Sequence, residues 1–243
     1  TQWTKPRWEA IGNRGSLAEA KLKEYFDEVH LKHTEADGDA IRFTSVAAEE
    51  RYDSVFVIGG DGTVNEGISG IAEQEYRPKF GFFPLGTVND LARSLGISLD
   101  PEEAIAQFDP TRTKLLDIGR VNNDSYFMNV VAAGAIPEAL NDVSIEDKTK
   151  WGPLAYFIAG LKQFADNPSY DFRVTVDGKT CEFVGSTVVV GLTGSISGFE
   201  TMIPDAEVDD GKMHVICLRD SSILETIQTI PDLLRGVEDD TDR

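Results

Sequence analysis

Two glycine-rich turns of almost the same sequence carry the residues that could do chemistry in this chain. Residues 54–71 read SVFVIGGDGTVNEGISGI and residues 79–95 read KFGFFPLGTVNDLARSL, so that GTVNE recurs as GTVND. In each copy an apolar run precedes the glycines and a helical pattern follows them. A strand, a glycine turn and a helix N-terminus in this order can bind phosphate through backbone N–H groups. The repeat therefore predicts a site for a phosphorylated ligand.

Asp61 lies in the first turn and indicates which chemistry this site could support. Gly59 and Gly60 before it let an anion approach the backbone closely. A carboxylate beside a phosphate repels it unless a metal ion or a proton lies between them, which favours Mg²⁺-assisted or general-base chemistry. A ligand-free tight turn before a helix is the alternative for a single GGDGT. The chain has no G-x-x-x-x-G-K-[ST] pattern, so a Walker-type nucleotide site is excluded.

Buried parallel strands are needed to position both turns. The run VFVI at 55–58 has no polar alternation, which is typical of a strand buried on both faces of a parallel sheet. Thr63 and Glu66 fit a capping box, which predicts that the first helix begins near Thr63, and the second copy predicts another capped helix. Two helix N-termini that leave one edge of a parallel sheet would face the same crevice, where such sheets bind ligands.

The segments GGDGTVNE and PLGTVNDLAR resemble the catalytic domain of the soluble diacylglycerol kinase family, which includes bacterial phospholipid kinases and sphingosine kinases. The similarity extends over residues 34–236, beginning with a T-x-x-x-G-D-A segment at Thr34. It implies a lipid kinase of phospholipid metabolism that uses ATP with Mg²⁺. Catalytic roles are implied for Asp61, Asp90 and Asp117. The implied ATP-binding residues are Thr34, Gly59, Gly60, Asp61, Gly62, Thr63, Asn65, Glu66, Gly86 and Thr87.

Acidic residues in two further segments match the same family. Asp117 interrupts a strand predicted over 114–121 and corresponds to the family's Asp-Ile-Gly strand; an edge strand with Asp117 facing water is the alternative. Residues 204–211 resemble a family segment that binds a structural Mg²⁺. That likeness implies a carboxylate ligand from Asp210 and backbone carbonyl ligands from Glu207 and Lys212, whereas the residues alone fit an ordinary Asp-Gly turn.

The composition limits the class of partner and the compartment. Lys plus Arg number 23 against 42 Asp plus Glu, and the net charge of -19 argues against nucleic acid and against simple adhesion to an anionic membrane. The only two cysteines, Cys181 and Cys217, predict buried free thiols in a reducing cytosol. No apolar stretch approaches the roughly 18 residues that a membrane span needs. We therefore expect a cytoplasmic protein, peripheral to the membrane, that meets a lipid substrate at its surface.

Two domains are expected from the order of the predicted elements. Alternating strands and helices over residues 1–120 predict a doubly wound α/β nucleotide-binding domain. Residues 121–243 predict a mostly β, sandwich-like domain on the side of the lipid substrate, with hairpin strands, an apolar helix at 152–164 and a further helix at 222–236. The histidines, His214 among them, have no spacing suited to a metal site, and we interpret them as surface or satisfied side chains.

The chain departs from the family pattern in two places. Residues 1–15 do not contain the family's Asn-Pro-x-x-Gly loop, and no Asp-Gly-Glu motif, which would carry the family's catalytic base, follows Gly211. We therefore expect a diverged or missing segment at the start and an incomplete C-terminal part. Two alternatives to a lipid kinase are a kinase of soluble substrates, similar to NAD kinase, and a catalytically inactive lipid- or nucleotide-binding protein. The resemblance also implies a homodimer.

Overall fold

The computed structural model describes residues 6–122, 125–134, 169–196, 198, 203, 206–219 and 227–229. The chain divides into two compact units, Thr1–Met128 and Asn129–Arg243, here called the first and the second unit. An α/β unit followed by a β unit is the predicted fold class. The domain boundary predicted between residues 120 and 121 stays a prediction.

A parallel pair of strands forms the centre of the first unit. Strand β1 (Ser54–Gly59) pairs in parallel with β2 (Lys79–Pro84), in a register that places Gly59 opposite Pro84. Side chains alternate between two apolar cores: Val57 belongs to one, whereas Phe83 belongs to the other. Both faces of the pair are therefore covered, as the uninterrupted apolar run predicted.

Helices cover the two faces of this pair, and a short hairpin is the last element of the first unit in the sequence. Ala18 and Ile105, on the first and last of these helices, lie in the core with Phe83, whereas Val64 and Leu91 lie in the core with Val57. The helices are α1 (Pro6–Leu22), α2 (Asp39–Glu49), α3 (Asp61–Ile71), α4 (Asp90–Ser94) and α5 (Pro101–Ala106). Strands β3 (Gly119–Val121) and β4 (Ser125–Phe127) form the antiparallel hairpin.

The strand predicted over residues 114–121 is mostly wrong. Only Gly119–Val121 is a strand, so Asp117 lies in an irregular segment and not in the middle of a buried strand. The neighbours Leu116 and Ile118 pack against the core that contains Val57, while Leu115 is 83% exposed. Two packed apolar side chains thus hold this segment in place without strand pairing.

The second unit contains a five-stranded antiparallel arrangement. Its strands are β5 (Val130–Gly134), β6 (Tyr170–Val176), β7 (Lys179–Gly191), β8 (His214–Arg219) and β9 (Ile227–Thr229). The long β7 pairs with β5, β6 and β8, and β9 pairs with β8. Cys181 and Cys217 are both buried in its core as free thiols.

The prediction of a helix over residues 222–236 is wrong where the structure describes it, because Ile227–Thr229 pairs with β8 as a strand. The helix predicted over 152–164 lies outside the described residues. Within the described parts of the chain, no helix combines the length and the apolar character that crossing a membrane would need.

Candidate active site

The first glycine turn presents the beginning of a helix that no side chain caps. Helix α3 begins at Asp61 with Gly60 as its N-cap, and no side-chain hydrogen bond caps it. The predicted capping box is therefore wrong, and the helix begins two residues before Thr63. A Cβ atom built on Gly59 would lie 2.7 Å from the Thr63 Cβ, so the Thr63 side chain packs over that glycine.

This uncapped start leaves backbone donors for a ligand. The first N–H groups of a helix have no partner within it, and in α3 the first intrahelical bond is that from Val64 N–H to the Gly60 carbonyl. A Cβ atom built on Gly62 would meet no atom within 4 Å, so there is open space beside the backbone at that position. Backbone donors, a helix dipole and free space together favour an anion such as a phosphate group.

The two glycine turns touch each other. A Cβ atom on Gly86 would lie 2.6 Å from the Gly60 Cα, and one on Gly60 would lie 3.0 Å from the Gly86 Cα. The Leu85 N–H also donates to the Gly59 carbonyl at 2.8 Å. Since neither glycine has room for a side chain, the contact explains why both turns carry glycine at these positions. The two turns lie at one edge of the parallel pair, as the repeat predicted.

The second turn has a different conformation from the first, although its sequence is nearly the same. Residues 86–89 form a loop, and helix α4 begins only at Asp90, after Asn89 in the left-handed region with φ of 54°. The Asn89 side chain closes this loop, accepting from Gly86 N–H and donating to the Gly86 carbonyl, both at 2.9 Å. The expectation of two equivalent helix starts is therefore wrong, and the Gly86 N–H is already used within the loop.

Asp61 joins the first turn to the start of α4. Its carboxylate accepts the Asn89 N–H at 2.8 Å, and the N–H groups of Asp90 and Leu91 also act on it. It thus supplies the cap that α4 lacks from its own N-cap residue. Desolvation raises the pKa of Asp61, the nearby Asp90 carboxylate raises it further, and the three N–H groups offset this only in part. The half-buried Asp61 and the buried Asp90 are therefore close, and their catalytic roles stay predictions.

Two predicted ATP-binding side chains hold neighbouring segments of the first unit. Asn65 donates from Nδ2 to the Tyr126 carbonyl at 3.0 Å, which fixes α3 to β4. Glu66 accepts the Gly38 N–H at Oε2 at 3.2 Å, which fixes α3 to the loop before α2. The exposed Thr34 begins that loop. Their binding of ATP stays a prediction, as it does for the exposed Thr87.

The Asp39 carboxylate shapes the loop that contains Thr34. It accepts the N–H groups of Glu35 at 2.8 Å and Ala36 at 3.1 Å, and Arg42 donates to its other oxygen at 2.7 Å. The Glu35 N–H bond, the Arg42 bond and the Ala36 N–H bond lower the pKa of Asp39 to about 2. Asp39 is therefore ionised at neutral pH and holds the loop beside the start of α2.

The predicted metal residues of the second unit lie in one turn. The Asp210 carboxylate accepts the Lys212 N–H at 2.8 Å and the Glu207 N–H at 3.4 Å, and its Oδ2 lies 3.1 Å from His214 Nε2. Desolvation pushes the pKa of Asp210 upward, but the Lys212, His214 and Glu207 contacts outweigh it and leave the pKa lowered. Elsewhere too, the described residues include no cluster of three His, Cys, Asp or Glu side chains suited to a metal.

Sequence reasoning missed Asn89 and His214. The signal for Asn89 was present, because asparagine tolerates the left-handed region and commonly closes turns through its side chain. His214 was set aside because the three histidines have no metal spacing, and its partner Asp210 was considered only as a ligand. A search for a carboxylate four residues before a histidine would have found the pair.

Comparisons with known proteins agree with these observations. Residues 10–121 match the family described as Diacylglycerol kinase catalytic domain, and residues 129–241 match the YegS C-terminal NAD kinase beta sandwich-like domain. A candidate lipid kinase from Streptococcus pneumoniae is 40% identical over 218 residues, which are 90% of this chain and 73% of that protein. A diacylglycerol kinase from Staphylococcus carnosus is 38% identical over 205 residues, 84% of this chain and 67% of that protein.

A solved structure has the same fold. The crystal structure of a candidate diacylglycerol kinase from Bacillus anthracis superimposes with a TM-score of 0.74 at 28% sequence identity, covering 88% of this chain and 70% of that one. Together with the two matched domains, this confirms the predicted α/β unit followed by a β sandwich-like unit. The chain therefore belongs to the diacylglycerol kinase family of lipid kinases.

Proposed function

We propose that this protein transfers the γ-phosphoryl group of ATP to the hydroxyl group of diacylglycerol or a related lipid. The observation that carries the proposal is the uncapped start of α3, with open space at Gly62 and the Asp61 carboxylate beside it. The family membership supports the reaction class, and the names of the relatives support the lipid substrate.

The nucleotide phosphates would bind at the first turn of α3. The N–H groups of Asp61, Gly62 and Thr63 would donate to phosphate oxygens, and the helix dipole would stabilise their charge. Asp61 and Asp90 would face the transferred group, and Asp117 would approach from the irregular segment after α5. Phosphoryl transfer depends mainly on this kind of positioning and charge stabilisation.

The reaction would form one bond and break one. The lipid hydroxyl oxygen bonds to the γ-phosphorus, the bond from that phosphorus to the bridging oxygen breaks, and ADP leaves. The hydroxyl proton passes to a carboxylate. The raised pKa of Asp61 brings it nearer to neutrality than an ordinary aspartate, which suits a proton acceptor.

The chain's residues fit a requirement for Mg²⁺. Carboxylate and carbonyl oxygens are the ligands that Mg²⁺ prefers, and both Asp61 with Asp90 and the turn of Asp210 supply them. Asp210 through its carboxylate, and Glu207 and Lys212 through their carbonyls, would hold a structural ion in the second unit. Bound Mg²⁺ would neutralise phosphate charge, which a chain with a net charge of -19 cannot do with basic side chains alone.

We further propose that the protein acts as a cytoplasmic homodimer that meets its lipid at the membrane surface. A kinase of soluble substrates is the second candidate, because the family matched by the second unit is described as NAD kinase beta sandwich-like. Candidate substrates should therefore include NAD as well as diacylglycerol.

A phosphoryl-transfer assay tests the proposal. The protein is incubated with γ-labelled ATP, Mg²⁺ and diacylglycerol in mixed micelles, with NAD in a parallel reaction. We expect labelled phosphatidic acid from the wild type, and a kcat lower by at least about 10²-fold for Asp61→Asn, because that carboxylate would hold Mg²⁺ beside the transferred group and the ion would stabilise its charge. Wild-type turnover by Asp61→Asn would refute the role of Asp61. Labelled NADP without labelled lipid would establish the second candidate.

A further inference from the structure

The Asp210 carboxylate is held by groups of two kinds. Backbone N–H groups of Lys212 and Glu207 belong to the same turn as Asp210 and move with it. His214 is different, because it is the first residue of β8, where it pairs with Gly191 of β7. Its ring is therefore attached to the sheet of the second unit, and its Nε2 atom lies 3.1 Å from Asp210 Oδ2.

The contact between these two side chains is partly shielded from water. The His214 side chain is 19% exposed and the Asp210 side chain is 12% exposed. A hydrogen bond from a ring nitrogen to a carboxylate is stronger in such surroundings than on an open surface. Within the turn, Gly211 follows Asp210 with φ of 69°, in the left-handed region that glycine adopts readily. The histidine thus adds a restraint from the sheet to the hydrogen bonds that the turn itself supplies.

The same turn retains oxygen atoms for a cation. Each carboxylate oxygen has two lone pairs, and among the described residues Oδ1 accepts the Lys212 N–H at 2.8 Å. The Glu207 carbonyl accepts a long bond of 3.4 Å from Asp210 N–H. Carboxylates that bind metal ions are themselves commonly oriented by hydrogen bonds from an outer shell of residues.

We propose that His214 is a positioning residue, which holds the Asp210 carboxylate in the orientation that binds Mg²⁺ in the turn of the second unit. The inference rests on the proposed Mg²⁺ site at Asp210, Glu207 and Lys212. The histidine donates through its Nε2–H group and does not itself bind the ion. It contributes to ion affinity by restricting Asp210 before the ion arrives.

Ion binding, measured without a kinase assay, tests this role. The full chain is titrated with Mg²⁺ by calorimetry and with Mn²⁺ by electron paramagnetic resonance, without nucleotide. We expect His214→Ala and His214→Phe to weaken binding by at least about 10-fold, as losses of outer-shell partners do. His214→Gln, whose amide can donate in place of the ring, should recover part of the affinity. Far-UV circular dichroism checks that each variant is folded.

Two further variants distinguish a failure of the proposed role of His214 from a failure of the proposed metal site. His30→Ala removes a histidine that also faces a carboxylate, that of Glu28 at 3.6 Å, and should bind as the wild type does. Asp210→Asn should lose binding. Unchanged affinity in His214→Phe together with loss in Asp210→Asn would overturn the role of His214 alone. Absence of binding by the wild type, or unchanged binding by Asp210→Asn, would overturn the metal site and this inference together.

Discussion

Asp61 has one task in the fold and a proposed one in the reaction, and the energetic requirements of the two differ. Its carboxylate accepts backbone N–H groups at the start of α4, which stabilises the fold. Its negative charge is costly, because desolvation and Asp90 both raise its pKa. A group whose pKa is raised in the folded state contributes most when protonated, and that contribution is lost as the pH rises through the folded pKa. At neutral pH the negative charge therefore adds little to the stability of the fold, and we propose that it serves the reaction instead.

Substitutions at Asp61 should separate these two tasks. We expect Asp61→Asn to unfold at the same temperature as the wild type or higher at neutral pH, because it keeps an acceptor and loses the costly charge. Asp61→Ala removes the acceptor and should cost about 1 kcal/mol, as the loss of a helix cap does. That corresponds to a fall of about 2–4 °C in the unfolding midpoint measured by calorimetry. Equal losses in both variants would contradict the separation.

Asp39 should make the stability of the first unit depend on pH. Its folded pKa of about 2 lies below the ordinary value of 3.8, so its contribution to stability is present above the ordinary value and is lost as the pH falls toward 2. We expect Asp39→Asn to lower the unfolding midpoint at neutral pH and to converge with the wild type only as the pH falls to about 2. Asp37→Asn, a change at an exposed aspartate of the same loop, is the control. A difference that persists at low pH would show that the charge of Asp39 is not the cause.

At the scale of elements, the contact between the two glycine turns holds the site together. Gly86→Ala would place a Cβ atom 2.6 Å from the Gly60 Cα and 2.7 Å from Asn89 Oδ1. Since both neighbours belong to closed turns, we expect a loss of about 1–3 kcal/mol in the free energy of unfolding, measured with denaturant.

Gly62→Ala is the matched change in the first turn, where an added Cβ atom would meet nothing within 4 Å. Alanine is preferred to glycine within a helix by about 0.5–1 kcal/mol, so stability should stay equal or increase. The affinity for Mg-ATP should fall, because the methyl group occupies the space proposed for phosphate. A stable variant with unchanged affinity would place the nucleotide elsewhere.

Some of the secondary-structure elements could be predicted from the sequence, and others could not. The apolar runs before the two glycine turns predicted β1 and β2. The two GTVN copies were predicted to be alike, yet one lies inside α3 and the other forms a loop. The different conformations of the two copies could not be predicted from their nearly identical sequences, because they depend on contacts with other parts of the chain. Asp61 caps α4, and Glu66 accepts the Gly38 N–H.

At the scale of the whole molecule, the proposed nucleotide site lies in the first unit and the proposed structural Mg²⁺ site lies in the second. The first unit contains the parallel pair, both glycine turns and the acidic residues near them, and it matches the catalytic domain of the family. The second unit contains the antiparallel strands and the turn of Asp210. The net charge of -19 disfavours the binding of a bare polyphosphate and so favours a nucleotide that binds together with a cation. The nucleotide must therefore be tested together with Mg²⁺.

The central claim is that the first turn of α3 holds the phosphates of Mg-ATP. It is tested most directly by amide resonances of the isotope-labelled protein during a titration with Mg-ATP. We expect the largest shifts at the N–H groups of Asp61, Gly62 and Thr63, because hydrogen bonds to phosphate oxygens would form there. Saturating nucleotide that leaves these three amides unshifted would contradict the account.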